Sequence, residues 1–475
     1  MHFMYDFLSF AELLFLWYFG SINVVYLILL VFASFKIISR GKESSIEDYT
    51  AVLRSNSLPK ISFIIPAYNE SENIISTIKN VLAISYRYKD IIIVNDGSID
   101  ATLEVLKNAF QFVPIPMLYF EGLPTQKVRA VYCSKLHPEM ILIDKEQGKK
   151  FDALNAGINA CQTPLFIVID ADTFLDDKAF ELLIRPILTN PTTIAVGASI
   201  RIVNGCSLGL NTISTFNFPQ NVLPAMQTLE YLRAFLERQG WDYIGGNFVL
   251  SGAFGVFKAD AVRQAGGYVD TVAEDMEIII RLHRMMKEKK EPYQIKYLPD
   301  PAAWTTCPET YKELATQREH WHRGLLDCLW YHRRTFFNPR YGMFGLFVYP
   351  FWVYSECIEP FIEVLGLVFT LIGYSLGIVS LHFVVIFFAV TWGFTSMFTL
   401  FCVLIEELSF RKYPSLRSLL LFTVYAIFES FWYRQLTLVW RIKGSFDFFK
   451  GFGKAQKNGK HVEFLLKSSQ KKETL

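Results

Sequence analysis

The segment LFIVIDADT (165–173) joins an unbroken apolar run to two carboxylates that are separated by one residue. Apolar runs of this length are typical of strands that are buried on both faces of a parallel sheet. Alternate side chains of an extended segment point the same way, so Asp170 and Asp172 are placed to share one hard divalent cation. Mg²⁺ or Mn²⁺ takes few carboxylates together with substrate phosphates. The segment therefore predicts a metal site at a sheet edge, although a lone D-x-D also occurs by chance.

Two earlier segments repeat this pattern of a buried strand followed by polar residues. They are ISFIIPAYNES (61–71) and IIIVNDGSID (91–100), and helical patterns follow at 71–83 and 100–110. Strands that alternate with helices predict a doubly wound α/β domain, whose ligands bind at the carboxyl ends of the strands. One polar cluster after a strand can be an ordinary turn, whereas three in one domain favour a binding site.

The composition indicates a membrane protein rather than a nucleic-acid binder. Apolar residues make up 52% of the 475 residues, and the mean hydropathy is +0.25. Charged residues are 19%, below the roughly 25% of ordinary soluble proteins. The net charge of +2 excludes the basic excess that nucleic-acid binding requires. The seven cysteines contain no C-x-x-C pair, which predicts reduced thiols without structural zinc.

The N-terminal apolar block, 8–35, is long enough to cross a bilayer. It lacks a basic n-region and a small-residue cleavage site, so a transmembrane helix is favoured over a cleaved signal peptide. Lys36, Arg40 and Lys42 follow it. Because basic residues flank spans on the cytoplasmic side, the chain after residue 36 is expected in the cytoplasm.

The C-terminal apolar region predicts an interfacial or re-entrant segment and three spans. These are the segment 344–356, which Pro350 breaks, and spans near 358–376, 380–405 and 417–440, with Arg411, Lys412 and Arg417 marking a cytoplasmic loop. Three spans place the tail outside, whereas its many lysines favour the inside. Either 344–356 also crosses, or 417–440 does not fully cross. We expect a cytoplasmic tail.

Two motifs near the predicted sheet carry charge. Lys150 lies in QGKKFDALNAGI (147–158), where it is placed to approach phosphates unless it is simply solvated. Glu274 and Asp275 begin a helical pattern in VAEDMEIIIRLHRMM (272–286). Acids in a first turn are favoured by the helix dipole alone. A catalytic carboxylate is the alternative, because acceptor hydroxyls need a general base.

A third motif, ATQREHWHRGLLDCLW (315–330), predicts an amphipathic helix just before the membrane region. Gln317, His320, Trp321 and Gly324 share one face at the spacing i, i+3, i+4, i+7. A tryptophan at a membrane border is often only an interfacial anchor. The histidine has no second metal ligand at a useful spacing, so we do not expect it to bind metal.

In this order, the motifs resemble the membrane-embedded processive glycosyltransferases of family 2, which include cellulose, hyaluronan and poly-N-acetylglucosamine synthases. The resemblance covers about 60–340 and implies a GT-A-type (Rossmann-like) α/β fold with flanking transmembrane helices. It implies Mg²⁺ or Mn²⁺, a nucleotide-sugar donor taken as a UDP-sugar, and a saccharide or lipid-linked acceptor at the lipid bilayer. The predicted domains are a transmembrane helix at 8–35, a cytoplasmic catalytic domain at 41–340, an interfacial segment plus transmembrane helices at 341–440, and a basic tail at 441–475.

The resemblance also implies residue roles. The implied donor-binding residues are Pro66, Ala67, Tyr68, Asn69, Glu70, Asp96, Gly97, Lys150 and Asp170. The implied metal ligands are Asp170 and Asp172, and the implied catalytic pair is Asp275 as base with Glu274 beside it. The implied residues on the side of the acceptor and diphosphate are Ser251, Gly252, Ala253, Gln317 and Trp321.

The sequence departs from the family in two places. The family's Q-x-x-R-W motif reads Gln317-Arg318-Glu319-His320-Trp321, with a histidine where the family has arginine. We expect His320 to contact substrate by a single hydrogen bond and Arg323 to supply the missing charge, with Arg318 on another face. The stretch between Asp100 and Gly148 is long and has no assigned role.

The predicted function is inverting transfer of a sugar from a nucleotide-diphosphate sugar to a growing polysaccharide, with export of the chain. The polar membrane residues Glu356, Glu359, Glu363, Glu429 and Arg434 fit an export path, or they are only ion pairs between helices. A non-processive enzyme that adds one sugar to a lipid carrier would share every catalytic residue. A transporter or scaffold with a degenerate domain is the alternative of another class. The predicted location is a bacterial inner or plasma membrane, as a multi-pass protein.

Overall fold

The computed structural model describes residues 2–43, 58–116, 122–208, 213–215, 217–410 and 416–471. Arg411 and Lys412, predicted to mark a cytoplasmic loop, lie outside these ranges. The strands, in chain order, are β1 (Ile61–Ala67), β2 (Lys89–Asp96), β3 (Phe112–Ile115), β4 (Val128–Ser134), β5 (Met140–Lys145), β6 (Leu165–Ile169), β7 (Phe174–Leu175), β8 (Thr193–Ile202), β9 (Ser207–Leu208), β10 (Ile213–Thr215), β11 (Phe254–Lys258) and β12 (Gln294–Thr305).

The helices surround the sheet and form the apolar ends of the chain. They are α1 (His2–Glu43), α2 (Ile74–Ala83), α3 (Thr102–Phe110), α4 (Lys150–Ala160), α5 (Asp177–Thr189), α6 (Val222–Tyr243), α7 (Ala259–Gln264), α8 (Glu274–Lys289), α9 (Tyr311–Tyr331), α10 (Phe344–Ser375), α11 (Leu381–Phe410), α12 (Leu416–Phe428), α13 (Tyr433–Lys450) and α14 (Phe452–Lys471).

Ten strands form one sheet in the order β3-β4-β5-β2-β1-β6-β11-β8-β12-β7. The neighbouring strands β5, β2, β1 and β6 run parallel, as the alternation of strands and helices predicted. The sheet is mixed rather than wholly parallel, because β11 runs antiparallel between β6 and β8. The three predicted strands end at the same edge, so their polar residues meet there.

The long stretch after Asp100 enlarges this sheet. It forms α3 and then β3, β4 and β5, of which β4 pairs antiparallel with both neighbours. β5 then returns parallel to β2. The stretch therefore has a structural role that its weaker apolar pattern did not reveal, since β4 buries only some of its side chains.

Within the described residues, three helices are long and apolar enough to cross a membrane: Phe10–Ser39, Phe344–Ser375 and Leu381–Phe410. The first agrees with the predicted N-terminal span. The predicted break at Pro350 is wrong, because 344–356 and 358–376 are parts of one helix. Wider π-helical turns at Phe344–Val348 and Val353–Ile358 flank the proline, which lies in the first turn of a short α-helical stretch. Such turns tolerate the missing N–H of proline.

The predicted span 417–440 does not form one continuous helix. α12 ends at Phe428, a 3₁₀ turn covers Glu429–Phe431, and α13 starts at Tyr433 and runs past the predicted boundary at 440. α14 then packs on the sheet domain, where Lys454 pairs with Asp270 at 2.8 Å. Part of the predicted tail therefore contacts the sheet domain.

The core joins the helices to both faces of the sheet. α4 lies against β1 so closely that a Cβ added at Gly157 would come within 2.4 Å of Cγ2 of Ile64. Ile64 is fully buried. At the other end of the domain, Lys36 of α1 pairs with the carboxylate of Asp242 and donates to the carbonyl of Tyr297. The end of α1 is thereby attached to the sheet domain.

We predict that Gly157→Ala destabilises the protein by about 1–3 kcal/mol, the usual effect of overpacking a core. The matched control is Gly453→Ala in α14, where nothing lies within 4 Å of the added Cβ. Both changes gain helix propensity, so only the clash separates them. Thermal unfolding of the detergent-purified protein, followed by tryptophan fluorescence, measures the difference. Equal melting temperatures for the two variants would contradict the packing of α4 on β1.

Candidate active site

A lysine and several carboxylates meet at the edge where the parallel strands end. Lys150, at the start of α4, approaches Asp170 after β6 at 2.6 Å and Glu274 at the start of α8 at 3.3 Å. Its Nζ also donates to the carbonyl of Gly252 at 3.1 Å. The carboxylates raise the pKa of Lys150 against the effect of its burial, so the ammonium stays charged. One cation thus connects three elements that are distant in sequence.

Asp172 lies beside Asp170, and its carboxylate accepts a hydrogen bond from the Thr306 hydroxyl at 2.8 Å. Burial raises the pKa of Asp170 despite the contact with Lys150, and Asp172 adds to the rise. Burial likewise raises the pKa of Glu70, with Asp172 and Asp170 contributing. These carboxylates destabilise one another's charged forms. Such an arrangement fits a bound cation, which would relieve the repulsion.

The two acids at the start of α8, Glu274 and Asp275, differ in burial. Glu274 is buried, and burial raises its pKa to about 7 although Lys150 opposes the rise. Asp275 is less buried. A Cβ at Gly252 would lie 3.4 Å from Oδ2 of Asp275, which places this carboxylate beside the Ser251–Ala253 stretch. Both residues line the cavity described below, and Asp275 is the less buried of the two.

The loops after β1 and β2 are tied together by side chains. Oδ1 of Asn69 accepts a hydrogen bond from the backbone N–H of Ile99 at 2.9 Å, and Asn69 adopts φ = 57°. The backbone N–H of Glu70 donates to the hydroxyl of Thr102 at 2.9 Å. Tyr68 projects outward with 41% of its surface exposed. The predicted residues Pro66 and Ala67 lie at the end of β1, directly before this loop.

Asp96, predicted to bind the donor, is buried, and its carboxylate is already hydrogen-bonded within the protein. Its Oδ1 accepts from Lys145 Nζ at 2.5 Å and from the Gly148 backbone N–H at 2.9 Å. Lys145 is fully buried and also contacts Asp152 at 2.5 Å. Asp96 therefore fixes the loop that leads into α4 and Lys150. Sequence reasoning missed Lys145, although a lysine that ends a buried apolar strand indicates such a pair.

A cavity of about 650 Å³ opens from this edge of the sheet. It reaches past α6 and α9 to the membrane helices, where Glu356, Glu363 and Arg434 line it. Among the predicted site residues, those that line the cavity are Lys150, Asp170, Asp172, Ser251, Gly252, Ala253, Glu274, Asp275, Gln317 and Trp321. The structure thus brings together residues from motifs that are more than 160 positions apart in the sequence.

The placement of His320 and Arg323 differs from the prediction. Neither residue lines the cavity, and His320 is exposed. Arg323 points to the start of α14, where Nη2 would lie 3.1 Å from a Cβ at Gly451. Packing of α9 on α13 and α14 sets its rotation. The face that meets the cavity consists of Gln317, Arg318, Trp321, His322 and Leu325.

Arg318, expected on another face, supplies positive charge to the cavity. It is 4% exposed, pairs with Glu230 at 2.7 Å, and lies 4.2 Å above the ring of Trp321. Its Nε and Nη1 have no hydrogen-bond partner within the described part of the chain. His322 also lines the cavity, and burial lowers its pKa to about 3, so it is neutral. In the sequence, the i, i+3 spacing of Arg318 and Trp321 indicated that these two side chains are neighbours on the helix.

Comparison with known proteins agrees with this geometry. The profile of "Glycosyl transferase family 2" matches residues 62–261, and that of "Glycosyl transferase family group 2" matches residues 165–405, just over half of the chain. Together with the α/β sheet and its carboxylate edge, the matches define the chain as a glycosyltransferase. It belongs to glycosyltransferase family 2.

Two curated relatives are poly-beta-1,6-N-acetyl-D-glucosamine synthases. The one from Staphylococcus epidermidis is 30% identical over 56% of this chain, and the one from Staphylococcus aureus (strain COL) is 30% identical over 62%. The chain spans 54% and 63% of the length of these relatives. The solved mannosyltransferase PcManGT from Pyrobaculum calidifontis, in complex with GDP-Man and Mn²⁺, aligns over 91% of this chain and 99% of its own, with 14% identity and a TM-score of 0.46.

We predict that Arg318→Lys lowers transfer about 10- to 100-fold, because lysine keeps the charge that faces Glu230 but loses the planar fork and the stacking on Trp321. Arg323→Lys, on the opposite side of the same helix, should stay close to wild type. Release of nucleoside diphosphate measures both. If Arg323→Lys lowers transfer more than Arg318→Lys does, Arg323 supplies the positive charge, as the sequence analysis expected.

Proposed function

We propose that this enzyme transfers a sugar with inversion from a nucleotide-diphosphate sugar to a growing polysaccharide, with UDP-N-acetylglucosamine as the donor to test first. The observation that carries the proposal is the continuous cavity, which joins the carboxylate cluster to the membrane helices. The names of the two staphylococcal relatives support this donor and product class.

Asp275 is the proposed general base. Its less buried carboxylate lines the cavity, whereas the carboxylate of Glu274 is buried against Lys150. Asp275 would take the proton from the acceptor hydroxyl, whose oxygen then attacks the anomeric carbon from the side opposite the diphosphate. Lys150 orients Asp170 and Glu274 and keeps these two carboxylates away from the attacking oxygen.

Asp170 and Asp172 are the proposed ligands of Mg²⁺ or Mn²⁺. Within the described residues, no group of three or more His, Cys, Asp or Glu side chains surrounds one metal position. Two carboxylates plus donor phosphates are nevertheless the usual ligand set of these ions, and the carboxylate-rich cluster fits a cation. When bound, the ion would neutralise the diphosphate leaving group. Thr306 holds the carboxylate of Asp172 in place through its hydroxyl.

The acceptor end of the proposed site is formed by α9. Trp321 is 45% exposed and offers its ring to an apolar sugar face. Arg318 lies over that ring, and its Nε and Nη1 have no hydrogen-bond partner among the described residues. Gln317 lines the same wall. These residues would hold the acceptor hydroxyl toward Asp275.

The proposed export path is the part of the cavity between the membrane helices. Arg434 pairs with Glu363 at 2.9 Å and with Glu359 at 2.8 Å, and Arg441 pairs with Glu356 at 3.0 Å. These residues therefore form ion pairs between helices and also line the cavity. Paired charges supply both hydrogen-bond donors and acceptors to sugar hydroxyls, at a lower desolvation cost than single charges.

The proposed topology places the sheet domain in the cytoplasm. α1, α10 and α11 cross the bilayer, while α12 and α13 enter from the cytoplasmic side and return at Glu429–Phe431. After the sheet domain the chain crosses twice, through α10 and α11, and the return segment does not cross, so α14 stays on the same side as the sheet domain. The arrangement supports the predicted cytoplasmic positions of Lys36 and of the tail.

Incubation of the reconstituted protein with radiolabelled UDP-N-acetylglucosamine tests the proposal. We expect nucleotide release and products of increasing length, whereas one added sugar on a lipid carrier would favour the non-processive alternative.

Asp275→Asn should lower transfer about 10²- to 10⁴-fold, the usual contribution of a general base, with donor binding unchanged. Glu274→Gln is the adjacent control. If Glu274→Gln abolishes transfer while Asp275→Asn remains active, the base is assigned to the wrong residue.

Asp172→Asn should weaken Mn²⁺ binding at least about tenfold, because a neutral amide replaces one of two charged ligands. The free Mn²⁺ signal in electron paramagnetic resonance, recorded with UDP present, measures binding without turnover. Asp260→Asn removes one charge from an exposed position of α7 and serves as the control. Unchanged binding by Asp172→Asn, or full transfer in chelator, would contradict the proposed metal site.

A further inference from the structure

A second cavity lies on the other side of α9 from the proposed acceptor site. It has a volume of about 330 Å³, within the range of small-molecule ligand sites. Its walls come from the C-terminal half of α9, the first half of α10 and the end of α13. All lining residues except Arg333 and Ser445 carry apolar, aromatic or thiol side chains. Nothing in the transfer reaction uses this cavity.

One wall belongs to a helix that is long and apolar enough to cross the membrane. Tyr349, Val353, Cys357 and Phe361 line the cavity at intervals of four residues, which places them in one row along α10. Phe361 is 37% exposed and Phe449, from α13, is 63% exposed. The cavity therefore lies along the apolar surface of α10, which the proposed topology places in the bilayer.

The other end of the cavity carries positive charge. The guanidinium of Arg333 lies 4.4 Å above the ring of Trp330, and its Nη1 donates to the Trp330 carbonyl at 3.0 Å. Within the described ranges, no carboxylate forms an ion pair with Arg333, whereas the adjacent Arg334 pairs with Glu463 at 3.0 Å. Phe336 and Phe337, both exposed, follow directly in the chain. Aromatic and basic residues together are typical of the headgroup region of a bilayer.

We propose that this cavity binds one anionic glycerophospholipid, with an acyl chain against α10 and the phosphate at Arg333. The inference rests on the membrane placement proposed above. An acyl chain matches the apolar walls, and a negative headgroup matches the single unpaired guanidinium at the rim. A soluble ligand would leave the opening beside α10 uncovered.

The bound lipid would contact the helix that carries the acceptor site. Leu326, Leu329 and Trp330 face this cavity, while Arg318 and Trp321 face the larger one. The two cavities are also linked by His322, whose Nε2 hydrogen-bonds Oγ of Ser445 at 2.9 Å. His322 lines the larger cavity and Ser445 lines the smaller one. A lipid here would support α9 from behind.

Photolabelling tests the proposal without measuring transfer, so its failure is distinguishable from failure of the proposed function. The full chain is reconstituted in phosphatidylcholine vesicles that contain a trace of phosphatidylglycerol with a diazirine on one acyl chain. After irradiation, labelled positions are mapped by mass spectrometry. We expect labelling to concentrate on the cavity residues of α9, α10 and α13. Even labelling around α10 would mean ordinary bilayer lipid and would overturn the proposal.

Two pairs of variants sharpen the result. Val353→Trp fills the cavity and should lower labelling of Leu329 at least about tenfold, whereas Leu365→Trp, on an exposed part of the same helix, should not. Arg333→Gln should abolish the preference for the phosphatidylglycerol probe over a phosphatidylcholine probe, whereas Arg340→Gln, also exposed, should keep it. Unchanged labelling in Val353→Trp, or an unchanged headgroup preference in Arg333→Gln, would contradict the site.

Discussion

The contact of Lys150 with Asp170 and Glu274 is the interaction on which the rest of the site depends. It joins the end of β6, the start of α4 and the start of α8 through one ammonium group. Several carboxylates meet at this edge, and their mutual repulsion would otherwise open it. Lys150 contacts the buried carboxylate of Glu274, whereas the neighbouring Asp275, which lines the same cavity, is less buried. The division of roles proposed for these two adjacent acids rests on this difference in burial.

A second constraint acts at the membrane. α9 separates the large cavity from the small one, and each of its faces meets a different environment. Its rotation is fixed by α13 and α14, which follow the membrane helices in the chain. The C-terminal segment therefore belongs to the structural unit that forms the site, rather than being a detached basic tail. Changes in the membrane region can reach Arg318 and Trp321 through this packing.

The strands that deliver the carboxylates could be predicted because their signals are local. The apolar runs at β1, β2 and β6 are continuous, and the polar residues follow within a few positions. The order of these motifs along the chain resembles family 2, and the family matches confirmed the membership.

The sequence by itself determined the α/β class, the apolar ends and the position of each polar cluster, because hydrophobic period and strand-end spacing are local properties. Only the tertiary structure decided which side of α9 meets the cavity. Arg318 and Arg323 are five positions apart on the same amphipathic helix, and contacts with α13 and α14 choose between them. The tertiary structure also decided that α10 continues past Pro350, with π-helical turns on either side of the proline. In both cases the deciding energy comes from packing between segments that are distant in sequence, which no local pattern contains.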